Sequence, residues 1–210
     1  MPRPRSLTPQ QIAAAALAVI DRAGLPALTM RTVAKELGVS TMALYRYIDD
    51  REELECLVVE LVLGAVDTGP PPDGAWRERV AVMVERLRSA VGAHPAVVPL
   101  TLTHRHRSMS VLRWSETVLD VLAEAGLEGV ARVVALRGLL SYVIGAVQLE
   151  HLGPLSGAGT VALSELPEPV FPRMAETART ALSVGADEEF RRGLGLVLDG
   201  IAASLGRPGG

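Results

Sequence analysis

Hydrophobic residues fall at helical spacing along nearly the whole chain. Between residues 29 and 51 the pattern predicts two short helices joined by a tight turn. Met30, Val33, Ala34 and Leu37 stand at i, i+3, i+4 and i+7, which leaves Arg31, Thr32, Lys35 and Glu36 outside. Thr29 is placed to cap the first helix. Gly38 follows the last periodic residue, where a left-handed residue ends a helix without a Cβ clash. Ser40 can cap the second helix, in which Leu44 and Ile48 point back to the first. Thr41, Met42, Tyr45, Arg46 and Tyr47 then face outward.

Around this pair the same reading extends in both directions. A helix starts at Thr8, with Pro9 at its first position and Gln11 completing a capping box; Ile12, Ala15, Ala16, Val19 and Ile20 form its inner face and Gly24 closes it. Asp49 and Asp50, each followed three residues later by glutamate, signal another helix that runs through Leu54, Leu57, Val58, Leu61 and Val62 to about Val66. The segment 68–74, TGPPPDG, is a turn-rich break. From residue 75 the pattern is helical almost throughout, with helices over 75–93, 95–102, 110–125, 128–152 and 188–205. The helix over 128–152 is the longest and most apolar, and small residues recur on it at Ala131, Ala135, Gly138, Ser141 and Gly145. Between the last two helices, 153–172 is rich in proline and glycine and reads as a long connection, either a lid over a pocket or a disordered segment.

Two aromatics, an arginine and a threonine exposed together add nothing to a core but suit the edge of a DNA groove, in the manner of a helix-turn-helix. The stretch TMRTVAKELGVSTMALYRYIDDREEL resembles the DNA-binding segment of the TetR family of bacterial transcriptional regulators. In that family a short recognition helix ends in an aromatic-x-aromatic-or-histidine pair, and the next helix opens with a basic residue; here these are Tyr45, Tyr47 and Arg51. The resemblance implies an all-α fold, with an N-terminal three-helix helix-turn-helix domain and a C-terminal helical domain for ligand binding and dimerisation. The expected boundaries are 1–50, a linking helix over 51–67, and 75–206. It further implies that Thr41, Met42, Tyr45 and Tyr47 enter the groove, while Arg31, Tyr47, Arg51 and the Thr29 hydroxyl meet the backbone. The implied partners are a double-stranded DNA operator, a small-molecule effector and a second copy of the chain, whose last long helices pair in a four-helix bundle. Candidate pocket residues are Met83, Leu87, Met109, Leu112, Trp114, Tyr142, Gln148 and His151.

Charge agrees with a front that meets phosphate. The formal net charge of the 210 residues is -3, yet residues 1–48 carry six basic and two acidic groups, which leaves the remainder strongly acidic. Arg3 and Arg5, between prolines, form an arm suited to a minor groove. One cysteine, Cys56, excludes an intramolecular disulfide and fits a reducing cytoplasm. No apolar core of signal-peptide length follows MPRPRS, and the apolar run over 56–66 is broken by Glu60 and too short to span a bilayer, so a soluble protein with no membrane partner is expected.

His104 and His106 invite a metal, with His94, His151 or Glu150 as further ligands, but Arg105 and Arg107 would repel a cation and no third ligand is near in sequence. No cofactor is expected. A phosphate loop, a nucleophile elbow and a metal-ligand cluster are all missing, which argues against an enzyme. The leading expectation is a ligand-released repressor of palindromic operators; an activator or an architectural DNA-binding protein shares the same features.

Overall fold

The computed structural model describes residues 7–71 and 73–205, and among them the chain is helical without a strand. The helices are α1 Pro9–Ala23, α2 Met30–Glu36, α3 Thr41–Leu44, α4 Arg51–Leu63, α5 Trp76–Gly92, α6 Val98–His104, α7 Met109–Glu124, α8 Gly129–Leu152, α9 Ala158–Ser164, α10 Pro172–Ala181 and α11 Ala186–Leu205. The arm carrying Arg3 and Arg5 lies outside the described residues.

Local chemistry sets the helix starts. Thr8 builds both halves of its capping box: its hydroxyl accepts from the Gln11 amide at 3.2 Å, and its own amide donates to Gln11 Oε1 at 3.0 Å. Thr29 accepts from the Thr32 amide at 3.1 Å, and Ser40 from the Ala43 amide at 3.2 Å. Gly38 takes φ +68°, the left-handed turn that separates α2 from α3.

The described residues form two compact units, those within 1–69 and 85–117, and those within 70–84 and 118–210. In the first, α1 packs against α2 and α4, and α4 against α6. Ile12, Ala16, Ile20, Leu28, Val33, Leu44, Ile48, Leu54 and Val58 are all buried there. Ala15, expected on the inner face of α1, is only half-buried, and Ala13 takes a buried place. α4 stops at Leu63, three residues before the expected Val66, with Gly64 as its cap.

In the second unit α8 packs against α11, and α9 against α10. The 153–172 connection is not one irregular stretch: it contains α9, and α10 begins at its end. Neither helix announced itself, because α9 buries no residue and α10 buries only the two alanines Ala175 and Ala178. Their inner faces lack the large apolar groups that make a periodic signal.

α8, 24 residues long, contains an 18-residue stretch with a mean hydropathy of 1.7, long and apolar enough by length and composition to cross a bilayer; 22% of that stretch is buried. Val130, Val133, Val134, Leu149 and Leu152 on α8 and Leu196 on α11 are exposed.

Where α8 meets α11, Tyr142 donates to the Phe190 carbonyl at 2.6 Å, and the two rings stand 5.2 Å apart. Gly193 lies under that ring, and a Cβ there would come within 3.0 Å of two ring carbons and closer still to the phenol oxygen. Gly193→Ala should therefore break the Tyr142–Phe190 bond. The expected net cost is about 1–2 kcal/mol, overpacking exceeding the gain in helix propensity. Thermal melts of Gly193→Ala, alone and combined with Tyr142→Leu, test this: the double variant should recover part of the loss.

Candidate nucleic-acid interface

α3 is only four residues long, and two buried side chains hold it. Leu44 and Ile48 are fully enclosed, as their spacing predicts. The chain continues past Leu44 as tight turns, with the Tyr45 amide donating to Thr41 at 3.1 Å and the Ile48 amide to Leu44 at 3.2 Å. The opposite side is open: Met42 is 76% exposed, Tyr45 46% and Tyr47 39%. Arg31 and Arg46 are exposed as well. Thr41 differs from expectation in being half-buried rather than fully outward. The Thr29 hydroxyl, expected at the DNA backbone, also caps α2 and lies 2.9 Å from the Thr32 hydroxyl.

Next to this surface α4 begins. Asp50 caps it by accepting from the Glu53 amide at 2.8 Å, and Glu53 in turn accepts from the Asp49 amide at 2.8 Å. Arg51, the first residue of α4, donates through Nε to Glu55 Oε1 at 2.7 Å. That bond occupies one edge of the guanidinium; the chemistry of the fork provides two Nη groups beyond it.

α4 is joined by polar links to the turn between α6 and α7. Arg107 donates to Glu52 at 2.5 Å, His104 lies 2.8 Å from Glu55, and Glu60 accepts from both the Ser108 and Ser110 hydroxyls at 2.6 Å. Burial pushes the Glu60 carboxyl up, but the bonds from Ser108, Ser110 and the first amides of α7 outweigh it and hold the group below the usual carboxylate range. Cys56, also on α4, is half-buried, and burial pushes its thiol up. The two neighbouring histidines are divided: His104 is buried on Glu55, while His106 is exposed. His94 pairs with Asp21 at 2.9 Å.

The residues expected to bind a small molecule are not gathered within either unit. Leu87 and Trp114 line one cavity of about 10 Å³ in the first unit, room for about one water. Met109 and Leu112, in the same unit, are exposed. In the second unit Met83 is buried, Gln148 half-buried and His151 exposed. Tyr142 lines a groove of about 230 Å³ between α8 and α11 with Leu149, Glu150, Glu189 and Phe190.

Comparison with known proteins decides the family. Residues 12–54 match the model for bacterial regulatory proteins of the tetR family, and residues 68–205 match that for the tetracyclin repressor-like C-terminal domain. The chain belongs to the TetR family. It is a DNA-binding transcriptional regulator rather than an enzyme. A TetR-family relative, an HTH-type transcriptional regulator of Saccharopolyspora erythraea, is 31% identical over 207 residues, covering 95% of this chain and 86% of its own. The crystal structure of Streptomyces coelicolor ActR in complex with actinorhodin matches with a TM-score of 0.80 at 27% identity, covering 96% of this chain and all of that one. BioQ bound to its natural double-stranded DNA operator matches with a TM-score of 0.69 at 26% identity, over 94% of this chain and 99% of that one.

The depressed Glu60 carboxyl predicts how stability depends on pH. A group whose folded value lies below its unfolded one stabilises the fold above the unfolded value, and loses that contribution as pH falls through the folded one. Wild type should melt a few degrees above Glu60→Gln at neutral pH, and the gap should close below about pH 4. Paired melts across that range measure it.

Proposed function

We propose that this regulator is a cytoplasmic homodimeric repressor that binds palindromic operators and is released from them by a small molecule. The observation that carries the DNA half is the open patch of Met42, Tyr45 and Tyr47 set beside Arg51 at the start of α4. Thr41, Met42, Tyr45 and Tyr47 would reach base edges, with Met42 against a thymine methyl. Thr29, Arg31, Tyr47 and Arg51 would hold phosphate, which positions the protein without specifying sequence. BioQ, the relative solved with its operator, supports this use of the fold. On this reading 1–50 is the reading head, 51–67 the link, and 75–206 the part that senses and dimerises.

The dimer reading rests on the uncovered apolar face of α8 and on Leu196 of α11. Lipid is a poorer cover than a second copy, since Arg132 and Arg137 lie within the same helix. A four-residue recognition helix also reads few bases, so two heads on half-sites about 34 Å apart are needed for useful specificity. A ligand that prefers another spacing weakens DNA binding by linkage, typically ~1–3 kcal/mol. ActR, solved with actinorhodin, is the relative that supports a small-molecule effector. Met83, Leu87, Met109, Leu112, Trp114, Tyr142, Gln148 and His151 remain the residues to survey for its site.

Selection of bound duplexes from a random DNA pool tests the reading directly, an inverted repeat being the expected product. Tyr47→Ala and Arg51→Ala should each weaken binding to the selected duplex roughly tenfold at fixed salt, with unchanged thermal melts. Enrichment of no sequence, or unchanged affinity in both variants, would remove the assignment. For the dimer, Leu196→Glu should shift the sedimenting species from dimer to monomer and reduce operator affinity with it; a wild type that sediments as a monomer at micromolar concentration would overturn it.

A further inference from the structure

A polar chain in the first unit runs from the buried end of α6 to the start of α4. His104, the last residue of α6, is 4% exposed, and its Nε2 stands 2.8 Å from Glu55 Oε2. The other oxygen of the same carboxylate accepts Arg51 Nε at 2.7 Å. A carboxylate oxygen accepts, so Nε2 is the ring nitrogen that carries the hydrogen. Side-chain exposure rises along the chain from 5% at His104 through 15% at Glu55 to 49% at Arg51. The carboxylate is thus gripped from the interior, while the guanidinium reaches water.

We propose that His104 is a positioning residue for the DNA contact, acting on Arg51 through Glu55. The proposal rests on the reading of Arg51 as a phosphate anchor. A carboxylate bonded at one oxygen is free to swing about its terminal torsion, and a guanidinium bonded to it swings too. With both oxygens bonded, the plane of the carboxylate is set, and the bond to Nε sets the direction in which the fork presents its Nη groups. Arginine then loses less freedom when it meets phosphate, the usual benefit of preorganisation. Without the histidine donor, Glu55 keeps an unmatched oxygen that competes with phosphate for the same guanidinium. None of this requires His104 to touch DNA.

The experiment uses the full-length protein and the duplex recovered by the selection above, with affinity measured by fluorescence anisotropy from about 50 to 300 mM KCl. The variants are His104→Leu, which fills the space without a donor, and His104→Gln, whose amide can still donate to Glu55. Each is made in the wild-type and Arg51→Ala backgrounds. His104→Leu should weaken binding about threefold or more and flatten the dependence of log affinity on log salt by up to about one, the amount expected for a lost phosphate contact. His104→Gln should stay within about twofold of wild type, and in the Arg51→Ala background neither change should cost anything further.

A purely structural role lowers the active fraction at every salt concentration and leaves the slope unmoved. A normal affinity and slope in His104→Leu overturns the proposal, as does a loss of the same size in the Arg51→Ala background. If the leucine variant fails to fold, His104→Asn, polar but too short to reach Oε2, is held to the same outcomes. Wild-type protein that binds the duplex but is indifferent to Arg51→Ala overturns the positioning role alone; wild-type protein that binds no duplex overturns the DNA reading and this proposal together.

Discussion

A helix of four residues cannot sustain itself. Fixing its first turn costs more backbone freedom than its hydrogen bonds return, so α3 exists only because tertiary contacts hold it. Leu44 and Ile48 supply those contacts, and Ser40 and Gly38 set where the helix starts and how the chain enters it. Burying two side chains fixes the rotation of the segment, and that rotation decides which groups are left in water. Met42, Tyr45 and Tyr47 are exposed because Leu44 and Ile48 are enclosed. Presentation of the reading surface and stability of its support are therefore one event.

The same economy governs α4. Its apolar residues Leu54, Val58 and Val62 are buried, while Glu52, Glu55 and Glu60 each meet a partner from the segment 104–110. Exposed pairs such as Arg107 with Glu52 contribute little to stability. The inner ones matter more, since a half-buried carboxylate without its donors is costly. α4 is thereby fixed along its length to residues far away in sequence, and its first residue, Arg51, inherits that order.

Much of this was legible in the sequence, and the reason is local. Thr8 with Gln11, Thr29, Ser40 and Asp50 act within three residues of themselves, and Gly38 acts on its own backbone, so short-range pattern was enough to find the turn and its two anchors. His104, Ser108 and Ser110, which bond Glu55 and Glu60, lie 48 to 50 residues away from them, and no periodicity reports such a pairing. For that reason sequence alone offers His104 as a candidate metal ligand, whereas in the structure it is buried against a carboxylate. Thr41 was placed outward by helical spacing that the short α3 does not fully sustain. α9 and α10 give no periodic signal, since α9 buries no residue and α10 buries only two alanines. Residue type marks Met83, Leu87, Met109, Leu112, Trp114, Tyr142, Gln148 and His151 as able to line an apolar pocket, and type does not tell which of them share a wall.

The single thiol of the chain sits beside Glu55, on the helix that all these contacts brace. Cys56 is half-buried, and burial pushes its thiol up, which lowers the thiolate fraction and slows its reaction with alkylating reagents. Because no second cysteine competes for the reagent, any labelling of the chain reports on the surroundings of that one helix.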